Sequence, residues 1–296
     1  MKKSVLSLLF LCLVSGLYAQ KKIKILISVD MEGLAGVVTE QQLGPSGFEY
    51  GRFREFMTNE ALAAIEGAKQ SGATEIVVVD AHGNGQNLLI EKLPNDVKLI
   101  RSWPRKNHMV SGIDDSFDGV MLIGYHSSTT NMEGVRAHTF SSAKLTNVSI
   151  NEKPVSEGIW AAMVTGHYNV PVILISGDNI ATKETKDFVG DMEMAVVKEA
   201  YGFHSAKSLT PAAACQVIKE ASAKAVKRIK DFKPYKVPTP VTLDVSFKNY
   251  RPVELLSYLS IVKRTDSHTI RFVGDDMIKV SDFFIFMEDY NSDLEP

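Results

Sequence analysis

Four side chains able to bind a metal stand just past the ends of three apolar runs. Ile23–Val29 gives way to Asp30-Met31-Glu32-Gly33, the run 75–79 to Asp80-Ala81-His82-Gly83, and the run 119–123 to Gly124-Tyr125-His126. In Asp30-x-Glu32, an extended backbone puts both carboxylates on the same side of the chain. Gly33 and Gly36 follow, so the chain can bend sharply and come close to a ligand. Such a carboxylate pair can hold one metal ion and lend an oxygen to a second. His82 and His126 add imidazole nitrogens. Two carboxylates with two histidines suit zinc or a similar divalent ion better than magnesium or calcium, which prefer all-oxygen shells. Each residue alone has an ordinary reading: Asp30 and Asp80 can cap turns after strands, and a lone histidine after a strand is more often structural than a ligand. His108, His167, His204 and His268 are given that structural or surface reading.

For the three clusters to meet, the runs that precede them must lie side by side. Ile23–Val29 is a near-continuous β-branched and apolar run, as expected of a strand buried on both faces. Helical spacing over 53–70 follows, closed by Ser71-Gly72-Ala73, then strands at 75–79, Val97–Ile100 and 119–123. A short strand at 148–150, a turn at 151–154, a helix over 156–168 and a strand at 172–176 continue the rhythm. This alternation predicts an α/β fold, a three-layer, mainly parallel sheet. In such a sheet the C-terminal ends of the strands line one crevice, where ligands bind. Beyond about residue 202 the pattern changes. Thr210-Pro211 opens a long helix over 210–232; three prolines at 233–240 mark a linker; Val241–Phe247 alternates as a half-buried strand. We expect a metal-binding α/β domain over 20–204 and a smaller C-terminal α+β subdomain over 205–296.

The start of the chain reads as a secretory signal peptide over 1–19: Met1-Lys2-Lys3, an apolar run to Val14, and small or neutral residues ending at Ala19. That run is short for a membrane span, so no stable membrane insertion is expected once it is cut. The protein would then be secreted or periplasmic, with Cys215 its one remaining cysteine, read as a buried small hydrophobe. The net charge is −2, with no long basic tract, which argues against a nucleic-acid partner.

Five short motifs, in order, carry a resemblance: Ser28-Val29-Asp30-Met31-Glu32-Gly33, Asp80-Ala81-His82-Gly83, Gly124-Tyr125-His126, Ala137-His138-Thr139 and Ser156-Glu157-Gly158. Together they resemble the M55 family of D-aminopeptidases. The resemblance implies two zinc ions per chain, held by Asp30, Glu32, His82, His126 and Glu157, with Asp30 the favoured bridge. It adds His138 as a catalytic residue outside the metal shell. By spacing alone, Glu157 would be a helix N-terminal carboxylate and His138 a loop histidine. Paired zinc ions would acidify a water and polarise an amide carbonyl, with His138 carrying a proton or steadying the oxyanion. Asp80 is a candidate acceptor for a ligating imidazole. Arg136 is read either as a partner for a substrate carboxylate or as an exposed salt-bridging residue. The family further implies short peptides or amides with an N-terminal D-residue such as D-alanine, and a homo-oligomer, a decamer. Two other readings stay open: a dinuclear metallohydrolase of other small amides or esters, and a metal-free periplasmic binding protein.

Overall fold

The computed structural model describes residues 22–291; the expected signal segment, residues 1–19, lies outside the described residues. The central strand β1 (Ile23–Val29) is paired on both edges, in parallel, with β2 (Ala73–Asp80) and β4 (Gly119–Tyr125). Pairing continues outward in parallel through β3 (Val97–Ile100) on one side and through β7 (Val172–Asp178) and β8 (Glu193–Gly202) on the other. An antiparallel strand, β9 (Ser205–Ser208), closes that edge, and the order is β3-β2-β1-β4-β7-β8-β9.

Both faces of this sheet are covered, which is why β1 is apolar over most of its length. Ile25, Ile27 and Val29 share a core with the helices α1 (Tyr50–Gln70) and α4 (Pro211–Lys227). Leu26 belongs to a second core on the opposite face, with Val120, Leu122 and the helix α2 (Glu157–His167). The helix α3 (Asn179–Val189) starts directly after β7, its first amides held by the Asp178 carboxylate. The three-layer α/β expectation therefore holds. The helix expected over 210–232 begins under the Thr210 cap but stops at Lys227. Arg228 leaves the helix, its guanidinium engaged with Asp191 and Glu193, and a short 3-10 turn follows.

A second, wholly antiparallel sheet has the order β11-β12-β10-β5-β6, made of β5 (Leu145–Ile150), β6 (Lys153–Pro154), β10 (Val241–Phe247), β11 (Val262–Arg264) and β12 (Thr269–Gly274). It carries α5 (Tyr250–Leu256) and α6 (Met277–Asp289). Residues along β10 alternate between buried and half-buried, as one covered face requires. The layers divide differently from a cut at residue 205. Strand β9 and helix α4 lie past that cut yet build the first sheet and its cover, while β5 and β6 precede it yet belong to the second sheet. Pairing between β5 and β10, with Leu243 opposite Ile150, decides the matter. A single core also spans the junction: Leu26 and Leu122 from the first sheet, Leu243 and Val245 from the second, Trp160 and Phe284 between them. Among the described residues no helix is long and apolar enough to cross a membrane.

Candidate metal centre

The ends of β1 and β4 press together, and two glycines permit it. Asp30 N donates to Ile123 O at 2.8 Å and Gly33 N to Gly124 O at 2.7 Å. A Cβ on Gly33 would sit 2.1 Å from Tyr125 O; one on Gly124, whose φ is +75°, would sit 2.3 Å from Asp30 O. Backbone this close, and a left-handed φ, admit only glycine. The loop after Glu32 is pinned from below by Lys198 of β8, whose Nζ donates to Glu32 O, Leu34 O and Val37 O at 2.5, 3.0 and 2.7 Å. Glu60 of α1 accepts from Ala35 N at 3.0 Å. Burial pushes the Glu60 carboxyl up to about 7 and the Lys198 ammonium down to about 8.

All three candidate histidines follow one rule: a ring nitrogen donates to a backbone carbonyl and the other faces carboxylates. His82 gives Nε2 to Leu43 O at 2.7 Å and turns Nδ1 to Asp30 Oδ1 at 3.2 Å and Glu32 Oε2 at 2.9 Å. His126 gives Nδ1 to Ser127 O at 3.0 Å, with Nε2 3.4 Å from both Asp30 Oδ2 and Glu157 Oε1. His138 gives Nδ1 to Arg136 O at 2.8 Å, with Nε2 3.6 Å from Glu157 Oε1 and 4.0 Å from Glu32 Oε1. The proton positions are assigned from these acceptors. A carbonyl behind an imidazole fixes its tautomer and aims its lone pair, which is the support metal-binding histidines have.

Asp30 joins two groups. Oδ1 belongs with Glu32 and His82, and Oδ2 faces His126 and Glu157. The ligand atoms of Asp30, Glu32 and His82 lie within 4.8 Å of one another, as do those of His126, His138 and Glu157. Asp30 Oδ2 and His126 Nε2 are buried without a hydrogen-bond partner. A cation between them would satisfy both, and the donor set of carboxylates and imidazoles fits zinc.

The electrostatics point the same way. Burial, reinforced by the charge of Glu32, raises the Asp30 carboxyl. Burial also acts upward on Glu32 and Glu157, but the histidines outweigh it: His82 first for Glu32, His126 first for Glu157, and both carboxyls end below the usual range. Burial acts downward on His82 and His126, yet Glu32 and Glu157 respectively, with Asp30, hold both well above the ordinary imidazole value. Three buried carboxylates demand positive charge, which protons on the imidazoles or metal ions can supply.

The five residues that spacing and resemblance singled out as ligands are thus brought together, and His138 with them. His138 differs from His126 although the rings stack 4.0 Å apart at 6°. The His126 side chain is wholly buried, whereas His138 keeps 15% of its side-chain surface and lines a cavity of about 280 Å³. Arg136 and Phe140, two residues to either side of His138, have φ of 54° and 61°. Side chains rarely accept that conformation, and strain of this kind gathers at functional sites.

Three readings change. Asp80 reaches no imidazole: its oxygens accept from Asn87 N, Leu88 N and Asn87 Nδ2 at 2.6, 2.7 and 2.8 Å, and Asn87 Nδ2 also donates to His82 O. It holds the loop that carries His82, whose own ring nitrogen is already taken by Leu43. Arg136 is buried rather than exposed; it is paired with Glu40, stacked over Phe203, and does not line the cavity. His108 is neither a surface group nor remote. It lines the cavity together with Trp103, Phe140 and Glu288. Its sequence signal was weak, since it follows a loop rather than a strand. Lys198 and Glu60 left a better trace: a lysine beside Val197 in an apolar strand, and a glutamate on the face of α1 shared by Met57, Ala61 and Ala64. Cys215 is half-buried, and burial pushes its thiol up to about 11, which leaves it inert as a nucleophile near neutral pH.

Comparison with known proteins gives a consistent answer. The sequence model of the M55 peptidases, the D-aminopeptidases, matches residues 23–286. A D-aminopeptidase of Bacillus subtilis (strain 168) is 32% identical over 265 residues, covering 89% of this chain and 96% of that protein. The solved structure of the Zn-dependent D-aminopeptidase DppA from Bacillus subtilis, described as a self-compartmentalizing protease, superposes with a TM-score of 0.86 at 32% identity. That match covers 90% of this chain and 96% of DppA. With the strand-end carboxylates and histidines in place, the chain belongs to the M55 D-aminopeptidase family of metallo-aminopeptidases.

Proposed function

We propose that this chain is a secreted or periplasmic zinc-dependent aminopeptidase that binds two zinc ions and removes an N-terminal D-residue such as D-alanine from short peptides or amides. The observation that carries the two-metal reading is Asp30, whose two oxygens face two different histidines, His82 and His126. Glu32 would complete the first group and Glu157 the second. Bound zinc would supply Lewis acidity toward a water and the scissile carbonyl. The chain's own residues would do the rest. Carbonyls of Leu43 and Ser127 keep His82 and His126 in the tautomer that presents a lone pair to the centre. His138 would not be a ligand: Asp30 already gives each group its third side chain, and His138 faces the cavity instead. With Nδ1–H held by Arg136 O, its Nε2 is the atom placed to take a proton from the attacking water or pass one to the leaving amine.

The cavity of about 280 Å³ lies near the lower end for ligand sites, which suits a substrate of a few residues rather than a folded chain. Secretion is supported by the sequence of residues 1–19. Assembly as a homo-oligomer, with a decamer as the expected form, is supported by the self-compartmentalizing relative and by exposed Tyr250, Leu255, Tyr258 and Ile261 on the second-sheet region.

Zinc content measured together with hydrolysis of D-Ala-D-Ala, D-alaninamide and their L-counterparts tests the reading. Two zinc ions per chain, loss of activity on chelation, recovery with zinc and preference for the D-series are expected. Zinc-loaded protein that cleaves none of these, or favours the L-series, would overturn the substrate assignment; one ion per chain would overturn the bridge.

A further inference from the structure

The cavity has a second polar end that the metal centre does not use. Its wall there comes from His108, in the loop after β3, and from Glu288 and Asp289, at the last turn of α6. His108 is buried, with 7% exposure, and is held by aromatic rings: Trp103 at 4.6 Å, Phe140 at 4.6 Å and Phe284 at 6.1 Å between centroids. Its Nε2 lies 3.6 Å from Glu288 Oε2. Yet His108 Nδ1 and Glu288 Oε2 are both buried without a hydrogen-bond partner. Groups left in that condition inside a protein call for an explanation, because each forgoes water without compensation.

The chemistry of the two atoms defines what would satisfy them. The carboxylate oxygen only accepts. With its ring proton on Nε2, toward Glu288, His108 turns Nδ1 away from that carboxylate, so the ring braces Glu288 and leaves it to meet a cationic ligand alone. Asp289 adds a second carboxylate alongside, raised by burial and by the charge of Glu288. Lys144 is close enough to act on Asp289 but forms no ion pair with Glu288 or Asp289. The wall is not a further metal site of the kind at the centre, since among the described residues only the two groups already named bring three ligand atoms within 4.8 Å. What remains is an acceptor wall of negative sign, in the same cavity whose candidate metal ligands would receive the substrate's α-amino group and scissile bond.

We propose that Glu288, held in place by His108, selects substrates that carry a second ammonium group, on the side chain of the residue before or after the scissile bond. This rests on the aminopeptidase reading of the same cavity. A lysine-like side chain would bring its ammonium to the part of the Glu288 carboxylate that lines the cavity, with Asp289 alongside and His108 bracing Glu288 from behind, and the same wall would disfavour an anionic side chain there.

Two measurements on zinc-loaded protein test it, each with wild type and Glu288→Gln. The first compares kcat/KM for D-alanyl-lysinamide with D-alanyl-norleucinamide, and for D-lysyl-alaninamide with D-norleucyl-alaninamide. The ammonium-bearing member of one pair should be favoured about tenfold, through KM, and the ratio should fall toward one in the variant. Which pair responds identifies the side of the scissile bond. The second is calorimetric titration with lysinamide and norleucinamide, which needs no turnover; lysinamide should bind about tenfold more tightly in wild type only. Turnover without any ammonium preference, or a preference unchanged in Glu288→Gln, overturns the selectivity and leaves the aminopeptidase standing. Preferential lysinamide binding that Glu288→Gln removes, without hydrolysis of any D-peptide, supports the cationic site and overturns the aminopeptidase.

Discussion

The cavity has two ends built in different ways. At the candidate metal centre, Asp30, Glu32, His82 and His126 leave the C-terminal ends of adjacent parallel strands, and what holds the rings and strand ends directly is backbone: Leu43 O, Ser127 O and the paired amides of β1 and β4, with the side chains of Lys198, Glu60 and Asp80 bracing the loops beyond. At the outer wall, His108 sits in a loop and Glu288 on the last helix, and they are held by other side chains. Backbone supports do not change when the sequence does, so the first end fixes the chemistry. Supports made of side chains can be altered one at a time, so the second end is where related chains can differ in what they accept.

Removing the bridge tests the first half of that contrast most severely. Asp30→Ala takes one oxygen from each group and leaves Glu32, Glu157 and two histidines without their shared partner. We expect zinc content to fall from the proposed two ions per chain to below one, and kcat/KM to drop by roughly 10³-fold or more, the loss of several kcal/mol of Lewis-acid stabilisation. His108→Ala should instead keep its zinc. Metal analysis of both variants decides the point. Unchanged zinc in Asp30→Ala, or lost zinc in His108→Ala, would break the distinction between the ends.

The same contrast explains what could be read in the sequence. Strand β1 matches its run of β-branched and apolar residues to the residue, because burial on both faces leaves no other composition available. Ligands placed just past strand ends inherit that clarity. Glu157 and His138 do not follow strands, and only the order of short motifs pointed to them. His108 had neither signal: a histidine after a loop looks like any other, and its neighbours Trp103, Phe140 and Glu288 are distant in sequence. The two sheets do not divide at the cut expected near residue 205, for a related reason. β5 is short, and its partner β10 lies some ninety residues further on, so the pairing that draws 145–154 into the second sheet is not a local property. Lys198 and Glu60 break the apolar pattern of their elements, but nothing local in the sequence marks their target, the loop after Glu32.

That loop provides the next test, on stability rather than catalysis. The folded Glu60 carboxyl is raised from 4.5 to about 7 by burial, with only Ala35 N and the Lys198 charge opposing. Between those values the folded state binds more protons than the unfolded one, so Glu60 favours folding at low pH. That contribution is lost as pH rises through about 7. The full span is on the order of 3 kcal/mol. Glu60→Gln keeps an acceptor for Ala35 N and removes the titration. Its stability relative to wild type should therefore climb between pH 5 and pH 7.5, as read from chemical denaturation of zinc-loaded protein. Taking the difference between the two proteins cancels the titration of the shared metal ligands. Lys198, lowered to about 8, acts with the opposite sign and mainly above this range. A difference that stays flat with pH would mean that Glu60 is ionised in the fold throughout, and that the loop is held by its charge.

The smallest expected effect belongs to the outer wall. Arg105 clamps the loop that bears Trp103 and His108: its guanidinium donates to Asp80 O at 2.7 Å, Ser102 O at 3.0 Å and His108 O at 3.3 Å. It also lies 3.7 Å from the centre of the Trp103 ring. Burial lowers it to about 10, still charged at neutral pH. Arg105→Ala releases one side of this wall while Trp103 Nε1 still donates to Gly83 O, so the loop should loosen without unfolding. The ligands lie elsewhere, and Asp80 keeps its bonds to Asn87 and Leu88. We expect zinc content at the wild-type level and KM raised by a factor of roughly three to ten, with kcat less affected, since weakened positioning of a wall that touches substrate away from the reacting atoms acts mainly on uniform binding. Arg105→Lys should recover only part of the loss, because one ammonium cannot serve three carbonyls in the geometry of a planar fork. If Arg105→Ala loses zinc instead, the two ends of the cavity are mechanically one, and the division of labour between fixed chemistry and adjustable selection falls.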